Sequence, residues 1–354
     1  MKKFLPFAAI FSISAAFAQT EFDGTQTYGD YDLSGPVSLS VLNATVGHWV
    51  DGGKSMSITG TTANAAITGD TAWWLLNENT PGETVLTLTD VSIKNINKTG
   101  QTSNSAAAAV VGVAAVLNIV AQNHDVFISN NTTTGYGGAF ILEKKSSVAE
   151  GAKAVPVLNL TADGKNIIMG GNGGTGPGKG IYVDQYGGTL NFKAKAGSSI
   201  IFNDVVYMRE PTAASAGKSV VNIGDDSGDF GGTVSFASSS VNQLYDVTLR
   251  SGTLELVLTS QTSSNISINS LTYLDGDFSL VVSGEGFYSF TLASSVTGSL
   301  NESLFGISEG YRMEDFGISD NVVSFSAVAV PEPGALAALF GGFALALAAY
   351  GRKK

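Results

Sequence analysis

Residues able to do chemistry are sparse in this chain, and the densest group is acidic: Asp225-Asp226-Ser227-Gly228-Asp229. Three carboxylates on a glycine-containing loop offer hard oxygen ligands of the kind that hold Ca²⁺. The segment lacks the EF-hand spacing and the repeated calcium nonapeptide. An acidic turn is therefore favoured, with Ca²⁺ at Asp225, Asp226 and Asp229 as the lesser reading. Asp275-Gly276-Asp277 is a shorter version of the same pattern. The two histidines, His48 and His124, are far apart, and His124 falls in the turn-like run Gln122-Asn123-His124-Asp125. The arginines Arg209, Arg250, Arg312 and Arg352 sit beside no carboxylate pair in a repeated register. Acid–base cleavage of polysaccharide needs clustered carboxylates, often with Arg, Lys or His from neighbouring segments. A phosphate loop and a zinc motif are missing as well. No catalytic residue is assigned, the chain is read as non-catalytic, and no cofactor beyond the Ca²⁺ alternative is called for.

The elements that would position such residues are short strands. Gly is frequent, at 43 residues, and brief runs of Val, Ile, Leu and Phe alternate with Ser, Thr and Asn. Such spacing suits many strands with tight turns. The glycines follow no three-residue period, which excludes collagen. A four-residue motif recurs as Val85-Leu86-Thr87-Leu88, Val116-Leu117-Asn118-Ile119, Val157-Leu158-Asn159-Leu160, Thr189-Leu190-Asn191-Phe192, Val220-Val221-Asn222-Ile223 and Thr253-Leu254-Glu255-Leu256. A second apolar step follows at Val126-Phe127-Ile128, Ile167-Ile168-Met169 and Ile200-Ile201-Phe202. A third follows at Ala139-Phe140-Ile141-Leu142 and Ile181-Tyr182-Val183.

Alternation with period two puts Leu117 and Ile119 on one face, with Leu158 and Leu160 on the same face of the next copy. No single copy can bury that face alone, so stacking of copies is required. The expected fold is all-β, a parallel β-helix, with an antiparallel β-sandwich as the alternative. Hairpin turns of the Asn-Gly or Asp-Gly kind, such as Asp163-Gly164 and Asp275-Gly276, are few for a chain of this length, which disfavours the sandwich. On the opposite face Asn118, Asn159, Asn191 and Asn222 would align. They form either a hydrogen-bonded amide ladder or a set of residues suited to strand ends. The alanine-rich stretch 106–121 is read as a cramped strand followed by the repeat strand at Val116.

Phe127-Ile128-Ser129-Asn130-Asn131 followed by Gly137-Gly138-Ala139-Phe140 resembles the repeats of chlamydial polymorphic outer-membrane proteins. Gly231-Gly232-Thr233-Val234 and Leu249-Arg250-Ser251-Gly252-Thr253-Leu254-Glu255-Leu256 resemble the autotransporter-associated strand repeat. Both resemblances imply a right-handed β-helix at a cell surface. The chain departs from those families in offering no run of amphipathic strands for a membrane barrel.

The two ends carry addresses. Lys2 and Lys3, the apolar Leu5 to Phe17, and Ala16-Phe17-Ala18 form a secretory signal, with the mature chain starting at Gln19. At the other end Pro331-Glu332-Pro333 precedes an apolar segment, Gly334 to Tyr350, and the basic stop Arg352, Lys353, Lys354. As a helix those 17 residues would span about 25 Å, enough for a thin bilayer, with the basic end held inside. The layout resembles the PEP-CTERM sorting signal of Gram-negative bacteria. That resemblance implies processing by signal peptidase and an exosortase, transient residence in the inner membrane, and passage to the cell surface or an extracellular matrix. A plain membrane anchor is the alternative.

The expected organisation is a signal peptide (1–18), an N-terminal β cap region (19–84), β-helical repeats (85–258), a C-terminal β region (259–329) and the sorting tail (330–354). In the cap region Trp49, Trp73 and Trp74 would close the open end of the core or, alternatively, stack on sugar rings. Removing both ends takes five of 19 basic and one of 30 acidic residues. What remains is 29 acidic against 14 basic, a net of −15. That charge disfavours nucleic acid and anionic lipid. With no cysteine, stability rests on packing and backbone hydrogen bonds. The functional expectation is an adhesin-like, non-catalytic surface rod binding polysaccharide or other surface proteins. A β-helical carbohydrate-active enzyme is the runner-up, on fold analogy alone.

Overall fold

A computed structural model describes residues 20–39, 47–51, 53–76, 83–98, 106–143, 155–211 and 218–330. The expected signal peptide, its cleavage residues Ala16, Ala18 and Gln19, and the expected sorting tail with Pro331, Glu332, Pro333, its apolar segment and Arg352, Lys353 and Lys354 lie outside them.

Alternation does locally what the sequence dictates. In the strand Ala115–Ala121 every second residue is buried and the intervening ones are half-exposed. Val157–Ala162 and Gly188–Ala194 repeat the pattern. Each of these strands hides one face, and the chain covers that face by returning to it. The fold among the described residues is all-β, with a 17-stranded sheet, a 12-stranded sheet and a terminal three-stranded sheet. A 3₁₀ turn at Glu302–Leu304 is the one helical element among the described residues. None of these residues forms a helix long and apolar enough to cross a membrane.

The two long sheets are parallel throughout their main paths, the arrangement of a β-solenoid and incompatible with the antiparallel sandwich. Successive turns of the chain contribute to three rows. The first row runs through Gly29–Leu33, Ser55–Gly60, Thr84–Thr89, Ala115–Ala121, Val157–Ala162, Gly188–Ala194 and Ser219–Ile223. The second passes through Ser92–Lys98, Val126–Ser129, Ile167–Gly170, Ser199–Phe202 and Thr233–Phe236. A third, shorter row links Gly47–Asp51, Ala72–Leu76, Ala109–Val111, Phe140–Leu142, Ile181–Val183 and Val206–Met208. Asn242–Leu249 pairs with both Val206–Met208 and Ser219–Ile223, so the first and third rows fuse there.

Five of the six motif copies pair in the expected register: Leu86 with Leu117, Leu117 with Leu158, Leu158 with Leu190, and Leu190 with Val221. The sixth does not. Asp246-Val247-Thr248-Leu249 takes its place beside Val220–Ile223, while Thr253–Leu256 joins the second row next to Thr233–Phe236. Both segments alternate as strands do, but alternation carries no label saying which row a strand enters. The alanine-rich stretch divides as expected into Ala109–Val111 and Ala115–Ala121.

The segment expected as an N-terminal cap supplies strands to all three rows, so the stack is already under way at Gly29. At the far end Gly286–Thr291, Tyr311–Ser319 and Val322–Ala329 form the antiparallel three-stranded sheet. It buries Tyr288, Phe290, Val323 and Phe325 against the last coils. One apolar cluster runs from Phe22 to Ala327 along the whole axis. Within it Phe192, Phe202 and Phe236 touch ring to ring, with Phe202 and Phe236 stacked at 5.0 Å.

Two glycine motifs mark close backbone approaches between coils. A Cβ on Gly138 would lie 1.8 Å from the carbonyl oxygen of Lys179 on the next coil, and one on Gly232 would lie 2.2 Å from that of Lys195. No side chain fits at either position, which is the physical reason for the second glycine of Gly137-Gly138 and of Gly231-Gly232.

Candidate functional site

The most regular surface is the outer face of the first row. Asn159 Nδ2 donates to Asn118 Oδ1 at 2.7 Å, Asn191 to Asn159 at 2.7 Å, and Asn222 to Asn191 at 2.8 Å. Asn118 Nδ2 extends the run by donating to Thr87 Oγ1 at 3.0 Å. The amide ladder is thus realised, and the donors all point toward the N-terminal end of the stack. An amide has two donor hydrogens and two acceptor lone pairs. Each inner rung uses one of each along the ladder, and its half-exposed position leaves the others for water or a partner. The flanking Val85, Val116, Val157 and Val220 are half-exposed too, which makes an uncharged strip on an acidic chain.

A second polar column is not announced by the sequence pattern. It lies buried, at the turn after the second row. Asn172 Oδ1 accepts from the backbone N–H of Asn131 at 3.0 Å and from Asn131 Nδ2 at 2.9 Å. Asn172 Nδ2 donates to Ile128 O at 2.8 Å and to Asp204 Oδ2 at 2.7 Å. Asn131 in turn accepts from the N–H of Ile96 and donates to Ile93 O. The signal was present as Asn131 and Asn172, each three residues past the inward Ile128 and Met169. Asn in a Gly/Asn/Thr run reads first as a turn former, which masks such a role.

Asp90 forms a corner clamp. Its carboxylate accepts from the backbone N–H groups of Gln122, Asn123 and His124 and from Asn123 Nδ2, at 2.7–3.2 Å. Burial would raise its pKa, but these hydrogen bonds outweigh burial and hold the carboxyl below the usual value. His124 therefore contributes its backbone here.

The acidic loop is pulled apart by cations from adjacent coils. Asp225 accepts from Ser227 N and Oγ and from Lys193 Nζ at 3.0 Å, and Asp226 pairs with Arg250 at 2.7 Å. The Ser227 hydroxyl and then Lys193 hold the Asp225 carboxyl below its ordinary range. Among the described residues no three His, Cys, Asp or Glu side chains converge closely enough to hold a metal. Lys195 pairs with Asp163, Arg209 with Asp184 and Arg312 with Glu314.

Of the remaining candidates His48, Trp73 and Trp74 are buried, and the side chain of Trp49 lies outside the described residues. His48 is fully enclosed, edge-on to Trp73 at 4.4 Å, with Nε2 2.6 Å from the carbonyl of Gln26. Trp73 lies in the core, and Trp74 is covered in a satellite cluster with Val110, Ile141 and Tyr182, so neither ring is free to stack on a sugar. Lys98 is 4 % exposed, with its ammonium 4.9 Å from the Trp74 ring and no hydrogen-bond partner among the described residues. Burial lowers its pKa to about 8.

Comparison with family models, curated proteins and solved structures gave no match.

Proposed function

We propose that this chain is a non-catalytic, adhesin-like rod, exported and delivered to the cell surface or extracellular matrix, where its repeating faces bind polysaccharide or other surface proteins. The observation that carries this reading is the in-register stack with its half-exposed amide ladder. Ten strands follow one another in the second sheet. At about 4.8 Å each they make an axis of roughly 43 Å. Such a stack presents the same groups at a fixed interval along its length. A right-handed winding follows from the strong preference of parallel crossover connections.

Delivery rests on the charged, apolar and small-residue order of the first 18 residues and on Pro331-Glu332-Pro333 ahead of the apolar tail. Signal peptidase and an exosortase-type enzyme are the processing partners this order fits. Fractionation of cells carrying alanine at positions 331, 332 and 333 tests the route. The protein should be retained in the inner membrane, and unchanged surface delivery would refute the sorting claim. Turnover in a polysaccharide screen would overturn the non-catalytic reading.

A further inference from the structure

The chain holds one Asn-Gly pair, Asn172-Gly173, and it lies in the buried polar column. Asn-Gly is the pair most prone to deamidate, because a glycine nitrogen reaches the amide carbon unhindered and its backbone turns freely. The fold engages the groups this reaction needs. Asn172 is 5 % exposed, and its side chain accepts twice from Asn131 and donates to Ile128 O and Asp204 Oδ2. The attacking nitrogen, that of Gly173, donates to the carbonyl of Asn131 at 2.8 Å, and the Gly173 carbonyl accepts from Thr133 N at 2.9 Å. Folding the Asn172 side chain back over that nitrogen breaks its buried hydrogen bonds, so the ring cannot close while the coil is in place.

We propose that Asn172 is a latent modification site, silent in the folded stack and reactive in the open chain, whose deamidation bars the return to the native fold. In the open chain the Gly173 nitrogen gives its proton to hydroxide and bonds to Cγ of Asn172. The Cγ–Nδ2 bond breaks, and Nδ2 leaves as ammonia. Water then opens the succinimide at either carbonyl, giving aspartate or isoaspartate with no change in oxidation state. Neither product fits the column. An aspartate puts a carboxylate oxygen where Nδ2 stands, 2.7 Å from Asp204 Oδ2 and 2.8 Å from the carbonyl of Ile128. Two buried carboxylates and a carbonyl then face one another with no donor between them. Isoaspartate lengthens the main chain by a methylene and displaces Gly173 from its pairing with Thr132. A chain exported unfolded is open to the reaction only until this coil closes. That use rests on the export reading, whereas the chemistry does not, and its failure would leave the fractionation test untouched.

The test holds the full chain in mildly alkaline buffer with and without urea and follows deamidation by peptide mapping and mass spectrometry. In urea, conversion should concentrate at Asn172, with isoaspartate among the products. In native buffer it should be at least about a hundredfold slower there, since it proceeds only through the opened coil. On dilution from urea, the refolded fraction, read as resistance to protease, should fall in step with conversion at Asn172. Gly173→Ala separates this from general ageing. Its added methyl meets Thr132 Cγ2 at 3.5 Å and nothing closer, in backbone that is not left-handed, so the fold should be kept. The methyl crowds ring closure, and the variant should lose refolding competence at least about tenfold more slowly than the parent chain. Equal conversion of Asn172 in native buffer and in urea would overturn the proposal. So would native refolding of chains converted at Asn172, or an equal loss of competence in Gly173→Ala.

Discussion

Two columns of polar side chains run along this molecule, built largely from the same residue in opposite surroundings. Asn118, Asn159, Asn191 and Asn222 lie half-exposed on a flat strand face and bond one to the next. Asn131, Asn172 and Asp204 lie at a turn and close off backbone groups that water cannot reach. Removing a rung of the first column hands its partners to solvent. Removing one from the second leaves buried donors and acceptors unmade, and an orphaned buried group costs about 1–3 kcal/mol. The same amide is therefore a surface feature in one place and a structural clamp in the other.

The largest effect should come from Asn172→Ala. It strands the N–H and Nδ2 of Asn131 and the carbonyl of Ile128 together, so a loss of about 3–5 kcal/mol is expected in a denaturant titration. A loss no greater than that of a surface rung would erase the distinction between the columns.

Lys98 sharpens it from the opposite side, as a buried polar group without a clamp. Its folded pKa of about 8 lies below the unfolded value of roughly 10.4, so the unfolded chain holds more protons between them. Stability should therefore rise as pH increases from 8 to about 10.4. Lys98→Met should stabilise the protein below pH 8 by at most roughly 3 kcal/mol, and much less near pH 10.5. Melting curves at both pH values decide this, and a destabilised variant at neutral pH would reveal an ionic role for the amine.

Asp90 gives the acid-side counterpart. Because its folded pKa is depressed, the clamp contributes fully above the unfolded value near 3.9 and is lost as pH falls through the folded one. Asp90→Ala should cost about 2 kcal/mol at pH 7 and flatten the acid limb of the stability curve. Acid limbs that superimpose would remove Asp90 from the account.

The smallest effect belongs to the exposed ladder. Asn159→Val should change stability by about 1 kcal/mol or less, because its neighbours turn to water and Val suits the strand.

Much of the stack was legible because period-two alternation and a fixed amide position survive spacings of 31, 41, 32 and 31 residues between rungs. Loop length varies without disturbing register, since each strand is set by the one beneath it. The rest was hidden for physical reasons. Past residue 240 the coil shortens, so that Ser270 bonds to Asp246 only 24 residues away. The longer period therefore points Thr253–Leu256 to the first row, whereas it lies in the second. In the N-terminal coils the inward positions are filled by His48, Trp73 and Met56, so no common motif announces them as repeats. Asn131 and Asn172 act through main-chain groups of other coils, and only the folded stack places those within reach.

The central claim is the parallel, in-register stack, and the absence of cysteine makes it directly testable. Two double-cysteine chains are compared, Asn159→Cys with Asn191→Cys and Asn159→Cys with Asn222→Cys, each treated with a thiol-bridging reagent spanning about 5 Å. The first pair occupies adjacent rungs and should be bridged in high yield, while the second is two rungs apart and should not react within the chain. Bridging of the second pair, or failure of the first, would contradict the stack on which the rod, its ladder and its clamps depend.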